Sequence, residues 1–513
     1  MLPAARRAVL GAVATALVMG LAACSGGDGG SGLSGALGNQ LGQIGDGSTS
    51  YTGAQPGQAR PERLKPGQKP PQFVVFSWDG AGEDDMKLFS HFREVGRKHG
   101  ITMTYFLSGV YLLPESKAEL YDPPRHERGR SDIGFNDTKG IKATVRELRG
   151  AWLDGNEIGT HFNGHFCGPL GGGATWTPEE WKSELAQARS FVKKWRTNAG
   201  LPHEQSLPFD YDRELIGART PCLEGRDNFL RVAAKQGFRY DSSGISEQIW
   251  PDKKHGLWDL SLQLVPVPGR SFETLSTDYN FMINQSGTAK GAPSMHTFWG
   301  NQMRDGLIKG FTRAYMGNRA PLVIGNHFES WNGGAYVRAV EQTIGFVCVQ
   351  RDVRCVSFRQ LVDWLDAQDP EVLRRLRTLP VGRAPRSGWK DFLTATSSGS
   401  DKPGGSTSGR SGTKAVPAPA RSGASASGTA ASGTAASGTA ESGTAASRAG
   451  GGGTASEANS APGAGAATGA SIADGVPAAG RTSLVWPAAS GRGPVPDRLA
   501  HDGPAAIRPV AAR

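Results

Sequence analysis

The chain has 513 residues and a formal charge of +10, so more than one region is expected. A basic balance admits nucleic acid, anionic lipid or an anionic wall polymer as partner. No concentrated basic tract is present, and an export signal at the N-terminus argues against nucleic acid.

That signal is "ARRAVLGAVATALVMGLAAC", with a basic start, a short apolar run and small residues before Cys24. Its form is that of a signal peptide over 1–23 rather than a membrane span. "LAAC" resembles a bacterial lipobox, which makes Cys24 the lipidated first residue of the mature chain. The protein is then expected at the extracellular face of the cell membrane, anchored by lipid, or secreted if the lipobox is not used. Arg6 and Arg7 also permit twin-arginine export.

Residues 24–70 are rich in Gly, Ser, Gln and Pro and read as a flexible tether. Residues 391–513 are low in complexity, with a repeated "ASGTA" unit, and cannot form a core. Between them, 71–390 reads as one globular α/β domain. "QFVVFSWD" and "ITMTYFLSG" are strands on either side of the helical "EDDMKLFSHFREVGRKHG", which ends at a glycine. "KGIKATVRELRGAWLDGN" is helical and "EIGTHFNGHF" begins as a strand. "TPEEWKSELAQARSFVKKWRTNAG" starts with a Thr cap and Pro at the first helical position. "LIGARTP" and "GFRYDSS" are short strands around the helix "RDNFLRVAAKQ". "APLVIGNHFES" is a buried strand, the helix "GAYVRAVEQTIGFV" follows, and "RCVSFRQLVDWLDAQ" closes the set. Repeated strand–helix units imply a parallel sheet, here a barrel.

Apart from Cys24 there are four cysteines and no C-x-x-C pair. An even number in an exported protein points to two disulfides rather than zinc. Cys348 and Cys355 are close enough in sequence to close a small loop, which leaves Cys167 with Cys222.

Polar residues fall at the strand ends: Asp79, then His161 and His165, Arg219, Asp241 and His327. In α/β barrels those ends converge on one face, where the active site lies. His161 and His165 are four apart, about one helical turn, a spacing that lets two imidazoles face one metal ion.

At these residues the chain resembles the polysaccharide deacetylases of carbohydrate esterase family 4. Within that family it is most similar to the insect-type chitin deacetylase branch, with "NRAPLVIGNHFESW" as the nearest echo. The resemblance implies a distorted (β/α) barrel with an incomplete strand set. It also implies a divalent metal, Zn²⁺ or else Co²⁺ or Ni²⁺, and removal of acetyl groups from a glycan polymer or oligomer such as peptidoglycan or chitin. "SWDGA" matches the first family motif, with Asp79 as general base and Gly80 in place of the second, metal-binding Asp. "HFNGH" supplies His161 and His165 as ligands, with Phe162 for the usual hydroxyl residue. "ARTPCL" matches the third through Arg219 and Pro221. "YDSSG" and "LWD" offer Asp241, Trp258 and Asp259 for the fourth. "LVIGNH" offers His327 as general acid. Arg219 is expected to hold Asp79 ionised, and Asp241 to favour protonated His327.

Gly80 leaves two neutral ligands for a dication, so Asp79 itself, or Glu83, Asp84 or Asp85, is a candidate to complete the set. Two functions therefore stand side by side: a metal-dependent N-deacetylase, and a non-catalytic wall-binding lipoprotein on the same scaffold. An amide hydrolase acting on a non-sugar substrate is a third. Trp78, Phe162, Trp258, Trp299 and Trp331 are candidate sugar-stacking residues, "GPLGGGATW" is a candidate mobile loop, and a monomer is expected.

Overall fold

The computed structural model describes residues 42–394. Cys24, the signal segment and the repeat tail lie outside the described residues. The central sheet runs Leu322–His327, Gln72–Asp79, Thr104–Leu107, Glu157–Thr160, Gly217–Ala218, Tyr240–Asp241, Leu257–Asp259 and Lys253–Lys254, and Val353–Cys355 also pairs with Gln72–Asp79. All pairs are parallel except the last two on the path, Leu257–Asp259 and Lys253–Lys254. Parallel strands are covered on both faces, which is why "QFVVFSWD" is an almost unbroken apolar run.

The sheet curls back on itself through an irregular second layer. Leu262–Pro266 pairs parallel to Ile245–Ser246 and antiparallel to Glu273–Leu275. That layer reaches the Leu322–His327 strand through Gly325 N, which donates to Ser276 O at 3.0 Å. Val323 N donates to Gln263 Oε1 at 2.9 Å beside it. The result is the distorted (β/α) barrel expected, closed by side chains and single bonds where a full ladder is missing.

Local signals set the helices. Thr177 and Glu180 form a capping box with Pro178 at the first turn of Pro178–Lys193. Asp137 caps Thr138–Leu153, and Gly100 ends Leu88–His99 in a left-handed conformation. The longest helix, His296–Met316, carries no such signals. It packs through its glycines: a Cβ on Gly306 would meet the carbonyl oxygen of Pro266 at 2.6 Å, and one on Gly310 would meet Val265 at 2.5 Å. Gly306→Ala is therefore expected to lower stability by about 1–3 kcal/mol, read from the denaturant midpoint, despite alanine's better helix propensity.

Two expectations about boundaries need correction. Residues 42–70, read as tether, pack against the body. Trp195 Nε1 donates to Ser48 O (2.8 Å), Ser50 N to Leu207 O (2.9 Å) and Arg63 Nε to Ala367 O (2.7 Å). Here Gly and Pro serve turns on a surface rather than free chain. At the other end the helix Gly388–Thr394 carries the ordered body past residue 390, with Leu393 buried. Cys167 is bonded to Cys222 and Cys348 to Cys355.

Candidate active site

Asp79 and His327 end neighbouring parallel strands and are in register with each other, so their side chains rise side by side from one face of the sheet. The polar strand ends around them form the barrel mouth.

Arg219 is almost fully buried and lies across that mouth. Its Nη1 donates to Asp79 Oδ1 at 2.8 Å, and its Nη2 to Ser77 Oγ at 3.0 Å and Ser242 Oγ at 2.9 Å. The guanidinium also lies 4.9 Å from the ring centre of Phe106. Burial alone would raise the Asp79 carboxyl, but Arg219, His161 and His327 outweigh it and hold the pKa below the usual carboxylate value. Asp79 thus favours its ionised form, with Oδ1 engaged and Oδ2 without a donor among the described residues.

His327 is held by Asp278, a residue that sequence reasoning missed. Asp278 Oδ1 lies 2.8 Å from His327 Nδ1, and Oδ2 accepts from the His327 backbone N at 2.7 Å. Burial works against the charged ring, yet Asp278 and Asp79 lift the His327 pKa above its ordinary value. Asp278 opens the helix Asp278–Gln285 behind the cap Thr277. The only signal in the sequence is that cap, "STDYN", which looks like any helix start.

Asp241, expected in this role, is not beside His327. It pairs with Arg226 Nε at 2.5 Å and accepts from Ser243 Oγ at 2.6 Å. Ser243 Oγ in turn accepts from Thr220 N at 2.8 Å, so Asp241 supports the turn that follows Arg219. Asp259 also pairs with Arg226, and Trp258 is buried in the packing beneath. The strand-end position of Asp241 was read correctly, but the long crossing layer carries another acid to the histidine.

His161 and His165 sit on an irregular loop, not on a helical turn. Phe162 and His165 both have positive φ, 61° and 58°, which costs a bulky residue free energy that its packing must offset. Phe162 is fully buried between Trp181 and Phe229, with ring centres 4.8 and 5.2 Å away. It is an anchor, not a sugar platform. Beneath the loop, Gly164 N donates to Tyr121 Oη (3.0 Å) and Tyr121 Oη to Glu184 Oε1 (2.9 Å). Burial pushes the Glu184 carboxyl up to about 7. Disulfide Cys167–Cys222 ties the loop to the turn after Arg219. The segment 168–176, expected to be mobile, is fastened by Gly168 N to Glu224 and Trp176 Nε1 to Gly171 O.

The imidazoles suit a metal in part. His161 Nδ1 donates to Arg219 O at 2.8 Å, a backbone partner of the kind that fixes a ligating histidine with Nε2 free. Burial depresses its pKa to about 3, so the ring is neutral. The His165 ring centre is 5.1 Å away, and burial lowers that pKa as well. Among the described residues a third ligand is not in place. Glu83 caps Ser90 N (2.9 Å), Asp84 caps Met86 N (2.8 Å) and Asp85 pairs with Lys139 (3.0 Å). Among the described residues, the only group of three His, Cys, Asp or Glu ligand atoms within 4.8 Å of one another is His165, Cys167 and Cys222, whose sulfurs are bonded to each other. The residues present therefore fit a metal held by two imidazoles, with the other positions left to water and substrate.

Of the aromatics expected at the mouth, Trp78, Phe162, Trp258 and Trp299 are buried. Trp331 alone stays partly exposed, with its ring centre 5.3 Å from that of His327.

No family profile matches this chain, and no curated protein matches it. Solved structures do. One from Mycobacterium smegmatis, assigned as a polysaccharide deacetylase, is 15% identical over 60% of this chain and 95% of its own, with a TM-score of 0.36. A family 4 acetyl xylan esterase from Clostridium thermocellum, solved with a cobalt ion, is 14% identical over 59% and 96%, TM-score 0.31. A family 4 pseudoenzyme from Bacillus anthracis is 10% identical over 59% and 70%, TM-score 0.31. Likeness at this level carries no conclusion about chemistry, which follows from the side chains above.

Asp278→Asn tests the histidine's support. A folded pKa raised above the unfolded one stabilises the protein below the unfolded pKa, and the gain is lost as pH rises through the folded value. Without the Asp278 carboxylate, burial is opposed by Asp79 alone and the His327 pKa falls. The alkaline limb of any His327-dependent rate should move to lower pH, read from kcat/KM against pH.

Proposed function

We propose that the domain is a hydrolase that removes acetyl groups from the N-acetylated sugars of an extracellular glycan, such as peptidoglycan or chitin. One observation carries this reading. Asp79 and His327 are in-register neighbours whose surroundings push them in opposite directions, the carboxyl towards its ionised form and the imidazole towards its protonated form. That is the pairing a general base and a general acid need near neutral pH. Asp79 takes the proton of the attacking water through Oδ2, while Arg219 holds Oδ1 and fixes the carboxylate's direction. His327 hands a proton from Nε2 to the leaving amine, and Asp278 keeps its Nδ1 side protonated and oriented. His161 and His165 would hold a divalent metal, Zn²⁺, Co²⁺ or Ni²⁺, which when bound polarises the acyl carbonyl and acidifies water. In this proposal the protein is a monomer held at the outer face of the membrane through Cys24.

Gly80 and the missing third ligand favour a second reading, a wall-binding lipoprotein without turnover. Acetate release from N-acetylglucosamine oligomers and from peptidoglycan separates the two. The full chain supplemented with Zn²⁺ or Co²⁺ should release acetate, and His161→Ala should not. Glycan binding with no acetate from the supplemented chain would favour the second reading and sink the first.

A further inference from the structure

Residue 80 has no side chain, and its φ of 72° suits glycine. A Cβ placed there would stand 3.6 Å from Tyr111 Cε2 and 3.8 Å from the Tyr111 hydroxyl. A Cβ on Gly82 would come within 2.8 Å of Tyr111 Cδ2. The glycines on either side of Ala81 therefore make the seat in which this ring lies.

The seat is fixed from both sides. Tyr111 belongs to the turn Gly109–Leu112. Gly109 N donates to Phe162 O in the histidine loop at 2.6 Å. Asn136 Nδ2 donates to the Tyr111 carbonyl at 2.9 Å. The turn thus bridges the segment after Asp79 and the loop that carries His161 and His165. The ring is half-buried, yet its hydroxyl makes no hydrogen bond among the described residues. Burial, with Glu329 and Asp84 nearby, pushes the phenol up to about 12, so it remains a donor at neutral pH. A fixed donor with no acceptor among the described residues, its hydroxyl 3.8 Å from where a Cβ on Gly80 would stand, is what a substrate-binding site requires.

We propose that Tyr111 is a substrate-contact residue whose hydroxyl donates a hydrogen bond to an oxygen of the acetylated sugar, at the place where residue 80 offers nothing. This deepens the hydrolase reading and rests on it for the identity of the ligand. Tyr111→Phe keeps the ring in its seat and removes only the donor, so the fold should survive. Asn136→Ala loosens the seat while leaving the hydroxyl.

The test measures the Kd of the N-acetylglucosamine tetramer by calorimetry, and acetate release from it, for the full chain and both variants, each supplemented with Zn²⁺ or Co²⁺. Tyr111→Phe should weaken binding about tenfold, the effect of one hydrogen bond, with an unchanged unfolding midpoint. Asn136→Ala should weaken it less. Equal Kd and equal kcat/KM in wild type and Tyr111→Phe would overturn the proposal while leaving the hydrolase reading intact. Binding that depends on Tyr111 with no acetate release would support the proposal and sink the hydrolase reading. A wild type that does not bind the tetramer overturns both.

Discussion

Asp79→Asn is expected to cut acetate release by about 10²- to 10⁴-fold and to leave glycan affinity close to wild type. The two side chains have nearly the same shape. Asparagine can still accept the bond from Arg219 Nη1 through its amide oxygen, so the mouth keeps its geometry. What it lacks is a basic oxygen in the place of Oδ2. A fall in kcat without a matching rise in KM marks the loss of an interaction made only in the transition state. A stacking or wall-binding role would show the reverse, with affinity changed and nothing else to measure.

Arg219→Met is expected to act on stability and on pH together. Arg219 Nη1 and Asp79 Oδ1 form a buried ion pair at 2.8 Å, and removing one partner of such a pair costs about 3–5 kcal/mol. The variant also gives up the bonds to Ser77 and Ser242. The sign of the pH effect follows from Asp79. Its folded pKa lies below its unfolded one, so the pair stabilises above the unfolded pKa and the gain fades as pH falls through the folded value. In the variant, burial dominates and the carboxyl pKa rises. The acid limb of the rate profile should move to higher pH, and the unfolding midpoint at neutral pH should drop. Arg219→Lys should recover only part of either, because an ammonium cannot span Asp79, Ser77 and Ser242 at once.

Much of the barrel was legible because parallel strands buried on both faces leave apolar runs ending in a polar residue. That rule singled out Asp79, His161, His165, Arg219 and His327, and in the structure Arg219 bonds Asp79 and His161 while His327 lies in register with Asp79. The region from about 262 to 316 was not legible. Its helix is built on Gly300, Gly306 and Gly310, residues that lower helix propensity and are used here because the backbone of Ala335 and Pro266 and the side chain of Val265 sit where a Cβ would be. Missing that helix and the strands before it meant missing Asp278, which they deliver to His327. Asp241 was taken for that partner because it too ends a strand. No local pattern says which of two acids a closing layer will carry across a barrel. Tyr111 was invisible for a related reason: its place is defined by the empty side of Gly80, which only the folded chain reveals. The histidine loop shows the converse. Its spacing suggested a helical turn, whereas Phe162 locks a strained loop that brings the same two rings together.

The most direct measurement is kcat/KM for acetate release from an N-acetylated oligosaccharide across pH, using the metal-supplemented full chain. With Asp79 as base and His327 as acid, the profile should be bell-shaped. Its acid limb should move up in Arg219→Met and its alkaline limb down in Asp278→Asn. No acetate at any pH from a chain that binds the glycan, or a profile that neither variant moves, would contradict the assignment of these two residues as base and acid.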